Sequence, residues 1–166
     1  GTISDRPLGT LGAFGCFSFY SNKVITTVEG GMLGTDDEAL ATRARCLRSH
    51  GMTATAVDRR DGTPSYDVTE VGFNYRLDDL RAALGLAQLE RLETSLTRRR
   101  ALVAHYRERL ADLPNLHVPD HGGRGKSAHY IMPVLLERAQ RTDVRAQLQE
   151  QGVQTSVHYA PVHQFE

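Results

Sequence analysis

The stretch from Phe17 to Met32 constrains the chain more than any other, because its chemistry is hard to explain as packing. A run with strand character, Ala13 to Phe19, delivers the hydroxyls of Ser18 and Ser21 and then a single lysine, Lys23. A β-rich Val24 to Val28 follows, and Gly30-Gly31 allows a tight turn or a close backbone approach. A lysine at a strand end, beside hydroxyls and flanked by apolar residues, is how a Schiff-base site is built. Apolar surroundings favour the neutral form of an amine, which can attack an aldehyde, and hydroxyls nearby can hold a phosphate. On spacing alone the ordinary alternative stays open: most strand-end lysines are solvated.

The rest of the composition narrows the setting. With 166 residues, 40% hydrophobic and 24% charged, the chain suffices for one ordinary domain or parts of two. Its 20 basic and 20 acidic side chains cancel, so net charge gives no reason to expect nucleic acid or an anionic membrane as partner. Cys16 and Cys46 lack metal-ligand or redox spacing and read as small buried hydrophobes of a reducing compartment. No apolar run reaches membrane-spanning length and the first residues do not resemble a signal peptide, so a soluble cytoplasmic protein is expected.

Along the chain, Gly1 to Gly12 reads as loop and Gly31 to Leu33 as a short strand. Thr35-Asp36-Asp37-Glu38 has the form of a capping box, which predicts a helix to about His50 closed by Gly51, with Leu40, Ala44 and Leu47 as its apolar stripe. Met52 to Val71 lacks periodicity, and Asp58 to Gly62 looks like an exposed turn. Asp78 is a plausible N-cap for a helix from Asp79 to Glu93. That helix is apolar on nearly every side at Ala82 to Ala87, so it must be buried against more than one neighbour, and a subunit interface is a fair candidate. Further helices are expected over Thr94 to Leu113 and from Thr142 to Gln151, the latter closed by Gly152. Strands are expected at Asn115 to Val118, Ala128 to Leu136 and Val153 to Val157. The arginines at 98 to 100 read as a solvated face, and His117 and His121 are given no role.

Three segments carry a family resemblance. Ser18 to Gly31 resembles the lysine segment of the DegT/DnrJ/EryC1/StrS family of pyridoxal-phosphate (PLP) sugar aminotransferases, with Ser18 five positions before Lys23 and Glu29-Gly30-Gly31 after it. Val28 departs from the pattern, since many members carry glycine there, and is expected to be tolerated. Phe73-Asn74-Tyr75-Arg76-Leu77, continuing through Ala82-Ala83 and Gln88-Leu89, is similar to the family's Gly-Tyr-Asn-Tyr segment and its long helix. The terminal His158-Tyr159-Ala160-Pro161-Val162-His163 resembles the family's His-Tyr-x-Pro-x-His.

The resemblance implies an α/β chain with the type I PLP-dependent transferase fold: residues 1–93 as the later part of a large PLP-binding domain, and 94–166 as a small C-terminal domain. It implies PLP as cofactor, Lys23 as the Schiff-base and catalytic residue, and Ser18 and Asn74 as phosphate ligands, Asn74 reaching into the neighbouring subunit of a homodimer. His158 and His163 would lie near the substrate; metal binding by this pair has no support from other ligands. The implied reaction moves an amino group from a donor, glutamate, to a keto sugar carried on a nucleotide. Related dehydratases carry histidine at the position of Lys23, so the lysine favours transamination. The resemblance covers only the later half of the family's pattern. The aspartate that pairs with the pyridine nitrogen and the residue stacked on the ring are not in this sequence, and a fragment truncated at both ends and inactive alone is expected. Two other readings remain at this point: a non-catalytic dimerisation module, and a PLP-binding regulator without turnover.

Overall fold

A computed structural model describes residues 1–166 except 55–57, 59, 63–64 and 121–122. The chain is α/β and divides into two units, Gly1–Val103 with His121–Ile131, and Ala104–Asp120 with Met132–Glu166.

The first unit opens with β1 (Thr2–Ile3) and β2 (Arg6–Pro7), and β6 (Gly125–Lys126) joins them in an antiparallel sheet of order β2-β1-β6. This corrects the reading of the first twelve residues as loop: Thr2 pairs with both Pro7 and Lys126, a long-range pairing that composition does not reveal. The expected strands of the lysine segment are present as β3 (Gly15–Ser18) and β4 (Gly31–Gly34), antiparallel, with Phe17 opposite Met32 and Ser18 opposite Gly31. Val24 to Val28 forms no strand: the amides of Thr26, Thr27 and Val28 donate to the Gln88 side chain, the Phe19 carbonyl and Thr26 Oγ1 and not to a partner strand. Cys16 is exposed and Cys46 half-buried, which corrects the expectation that both are buried.

Helix α1 (Glu38–Arg48) starts two residues later than a cap at Thr35 would give. Asp37 is the N-cap, its Oδ1 accepting from the amides of Ala39 and Leu40, while Thr35 donates to the Ala13 carbonyl at 2.7 Å and accepts from the Asp37 amide. The helix ends at Arg48, two residues before the expected end: His50 takes the first left-handed position after the Ser49 cap, at φ 64, and Gly51 follows at φ 74 with its amide on the Cys46 carbonyl. Asp78 caps α2 (Asp79–Glu90), accepting from the Arg81 amide. The next helix, α3 (Leu92–Leu110), follows after a break at Arg91. Its Leu96 and Val103, one heptad apart on one face, are buried. By contrast α2 contains no buried residue: Leu80 is 86% exposed, Leu86 65% and Leu89 53%. Its expected burial is not provided within this chain.

The second unit holds the end of α3, β5 (Leu116–His117) antiparallel to β7 (Leu135–Leu136), helix α4 (Arg141–Glu150), and a 3-10 turn at Val162–Gln164. Only the last two residues of the expected strand Ala128 to Leu136 are strand; Pro133 has no amide to donate, and His129 turns the chain at φ 45. Val153 to Val157 is not a strand either. The Thr155 hydroxyl and carbonyl instead accept from Arg145 of α4, at 3.2 and 3.5 Å. Arg59 and His121 lie outside the described residues.

Candidate active site

Phe19, one step past β3, grips both ends of the loop that carries Lys23. Its amide donates to the Gly30 carbonyl at 2.8 Å, and its carbonyl accepts from the Thr27 amide at 2.9 Å and the Thr26 hydroxyl at 3.3 Å. Within that frame the Lys23 amide donates to the Tyr20 carbonyl at 2.9 Å, the i to i+3 bond of a tight turn. The Tyr20 amide in turn donates to Ser18 Oγ at 3.3 Å. Ser18 and Lys23 are thus tied to the two ends of a single turn, five residues apart in the chain.

Thr27 anchors the far side of the loop. It is 1% exposed, and its hydroxyl donates to the Glu29 carbonyl at 2.8 Å. A Cβ on Gly30 would stand 2.4 Å from that hydroxyl, so only glycine fits there. From α2, Gln88 Oε1 accepts the Thr26 amide at 3.3 Å. The Val28 amide donates to Thr26 Oγ1, and Val28 itself sits at φ 70, the left-handed region that costs a β-branched residue most. The backbone at this position suits glycine, and the valine adopts it nonetheless.

The lysine is half-buried, and its Nζ lies 4.3 Å from the centre of the Tyr130 ring. Among the described residues it forms no ion pair. Sequence reasoning missed Tyr130, which read only as part of a strand; no spacing signal links residues this far apart. Asn74 is exposed on an extended segment laid against the end of α1: it bridges to Ser49, and the Phe73 and Tyr75 amides donate to the Leu47 and Arg48 carbonyls at 2.8 and 2.9 Å. The Phe73 and Tyr75 rings stack with centroids 5.0 Å apart, and strand alternation puts the Asn74 side chain on the opposite face. Among the described residues, no hydrogen bond, ion pair or ring contact joins Asn74 to Ser18 or Lys23. In the second unit His158 packs its ring on Tyr159 at 4.5 Å, and His163 lies in the 3-10 turn.

The donor set suits PLP. Lys23 offers an amine against an aromatic face, and Ser18 Oγ, using a lone pair for the Tyr20 amide, keeps its hydroxyl hydrogen to donate to a phosphate oxygen. The sequence pattern of the DegT/DnrJ/EryC1/StrS aminotransferase family matches residues 1–166, the whole chain. The chain belongs to this family. It is 36% identical to the spore coat polysaccharide biosynthesis protein SpsC of Bacillus subtilis, over 98% of this chain and 43% of SpsC. Among solved structures it is similar to Spr1654 of Streptococcus pneumoniae in its PLP form, with a TM-score of 0.84 and 28% identity, covering 97% of this chain and 41% of that one. DesI, solved in the presence of its TDP-sugar product, gives 0.80 and 34%, covering 96% of this chain and 39% of that one. The family member described here therefore spans less than half the length of these relatives. Among its described residues no helix is long and apolar enough to cross a membrane.

Proposed function

We propose that this chain is the lysine-bearing part of a PLP-dependent aminotransferase that acts on a nucleotide-linked keto sugar, with Lys23 as the Schiff-base residue. The observation that carries the reading is the turn that ties Ser18 to Lys23 on the β3–β4 loop, in a member of an aminotransferase family. PLP, when bound, supplies the electron sink that lets an amino group leave a donor, glutamate in this reading, for the keto sugar. Lys23 Nζ would hold the cofactor's aldehyde carbon and, when released, would take the proton from the donor's α-carbon and deliver it to that former aldehyde carbon. The Ser18 hydroxyl donates to the phosphate, and the Asn74 amide does so in the site of a partner subunit. His158 and His163 contact substrate. In this reading the large and small domains of a type I fold meet near Thr94, and the enzyme is a cytoplasmic homodimer.

The surface of the chain supports completion by more polypeptide. It exposes 13236 Å², whereas two separate globular units of these sizes would expose about 9,700 Å². The excess of about 3,500 Å² is of the size that obligate interfaces cover. The exposed leucines of α2 equally suit a dimerisation module in which Lys23 is ordinary.

The test is borohydride reduction after incubation with PLP, followed by peptide mass mapping. The chain has only two lysines, Lys23 and Lys126, so the result is unambiguous. A phosphopyridoxyl adduct on Lys23 alone supports the proposal. Equal labelling of both, or none in a chain extended to the length of its relatives, overturns it. Self-association that survives Lys23→Ala without any effect of PLP would favour the dimerisation module.

A further inference from the structure

We propose that Tyr130 is a positioning residue for Lys23, its ring face holding Nζ in place on the lysine loop. The inference rests on the reading of Lys23 as the Schiff-base residue. An Nζ 4.3 Å from the ring centroid is well inside the distance at which an aromatic face attracts a cation. Among the described residues Lys23 forms no ion pair, and the Tyr130 ring stands against its Nζ.

The ring is delivered by a segment fastened just ahead of it. Lys126 of β6 pairs with Thr2 and donates its amide to Thr2 Oγ1 at 3.2 Å. The His129 amide donates to Ser127 Oγ at 3.0 Å, and Arg99 of α3 donates to the His129 carbonyl at 3.3 Å. A residue that places Nζ affects how well the amine is presented to an aldehyde.

Two readouts test this on the purified chain. Reductive methylation with ¹³C-formaldehyde gives Lys23 and Lys126 separate methyl signals, and the Tyr130 ring current should displace that of Lys23. Tyr130→Leu should abolish the displacement and Tyr130→Phe should keep it, with Lys126 unmoved in both. In unmethylated protein at fixed neutral pH, imine formation between Lys23 and PLP should run about two- to fivefold slower in Tyr130→Leu, which leaves Nζ unheld, and at the parent rate in Tyr130→Phe. Leucine and phenylalanine both remove the hydroxyl and both keep the site apolar, so their difference isolates the ring face. Tyr130→Met replaces the leucine variant if that one does not fold. An undisplaced Lys23 signal in the parent chain, or leucine and phenylalanine variants that behave alike, overturns the proposal. Absence of a PLP adduct on Lys23 in a chain extended to the length of its relatives would instead defeat the functional reading, while the methyl signals still decide the contact.

Discussion

Gly85 of α2 lies so close to Thr27 that a Cβ on the glycine would stand 3.1 Å from the threonine's Cγ2. The helix and the lysine loop are therefore in direct contact at the loop's most buried residue. Gly85→Ala sets a helix-propensity gain of about 1 kcal/mol against an overpacking cost of about 1–3 kcal/mol. Thr27 cannot easily give way, because its amide and hydroxyl are both bonded, to Phe19 and Glu29. The expected outcome is a net loss of about 1 kcal/mol in urea unfolding. In a Thr27→Ser background, which lacks the Cγ2, the same alanine should be neutral or stabilising. An unchanged penalty in that background would show that the contact is not its cause.

Val28→Gly should move stability the other way. The valine is exposed at φ 70, so little packing is lost with its side chain. Relief of left-handed strain, about 1–2 kcal/mol, exceeds the extra unfolded-state entropy of glycine, about 0.4–1 kcal/mol. A rise in the urea midpoint of the glycine variant, with unchanged denaturant dependence, is the expected result; a fall would show that the side chain contributes contacts worth more than the strain.

Asp37→Ala should cost about 1 kcal/mol, the usual loss on removing an N-cap. Amide exchange at Ala39 and Leu40 should speed up, since Asp37 Oδ1 accepts from both. Thr35→Ala should leave those two amides nearly as protected, because its hydroxyl ties the end of β4 to Ala13 instead. If the threonine variant exposes Ala39 and Leu40 as much as the aspartate variant does, the capping assignment is wrong.

That pair of residues also shows where the sequence was legible and where it was not. The Thr35 to Glu38 run announces a helix start, and the helix is there, but Thr35 and Asp37, two residues apart, can each cap. Which one does so depends on the carbonyl of Ala13, two residues before β3. Elements defined by local signals came through with shifted ends: β3, β4, α1, α2, α3 and α4 all lie where periodicity and caps put them. Elements that need a distant partner did not. β1 and β6 pair across most of the chain, and Val153 to Val157 has strand composition with its groups taken up by Arg145. At the candidate site, Ser18 and Lys23 could be read because they share one turn. Tyr130 could not, because only the fold brings it to Nζ.

Under the proposed reading, Ser18→Ala should weaken PLP retention by about tenfold or more, the loss of one charge-assisted hydrogen bond to phosphate. Ser18→Thr, which keeps a hydroxyl, should lose much less. Absorbance titration with PLP in a chain extended to the length of its relatives measures both. Equal losses in the two variants would point to the Tyr20 amide bond, and not phosphate binding, as what the serine supplies.

Asn74 gives the test of the shared site. It stands on a segment fixed to the end of α1 by the Phe73 and Tyr75 amides, with no bond to Ser18 or Lys23 among the described residues. Under the proposed reading it serves a partner subunit. Lys23→Ala and Asn74→Ala variants of a relative-length chain should each be inactive or nearly so. In a symmetric dimer the two defects complement: a mixed dimer has one site with neither residue and one site with both. Random reassortment of equal amounts should then restore about a quarter of the parent activity, since half the dimers are mixed and each has one intact site. If Asn74 serves its own subunit, every site in the mixture keeps one defect and activity stays at the average of the two variants. The measurement is transaminase activity before and after subunit exchange, with mass spectrometry confirming that mixed dimers have formed.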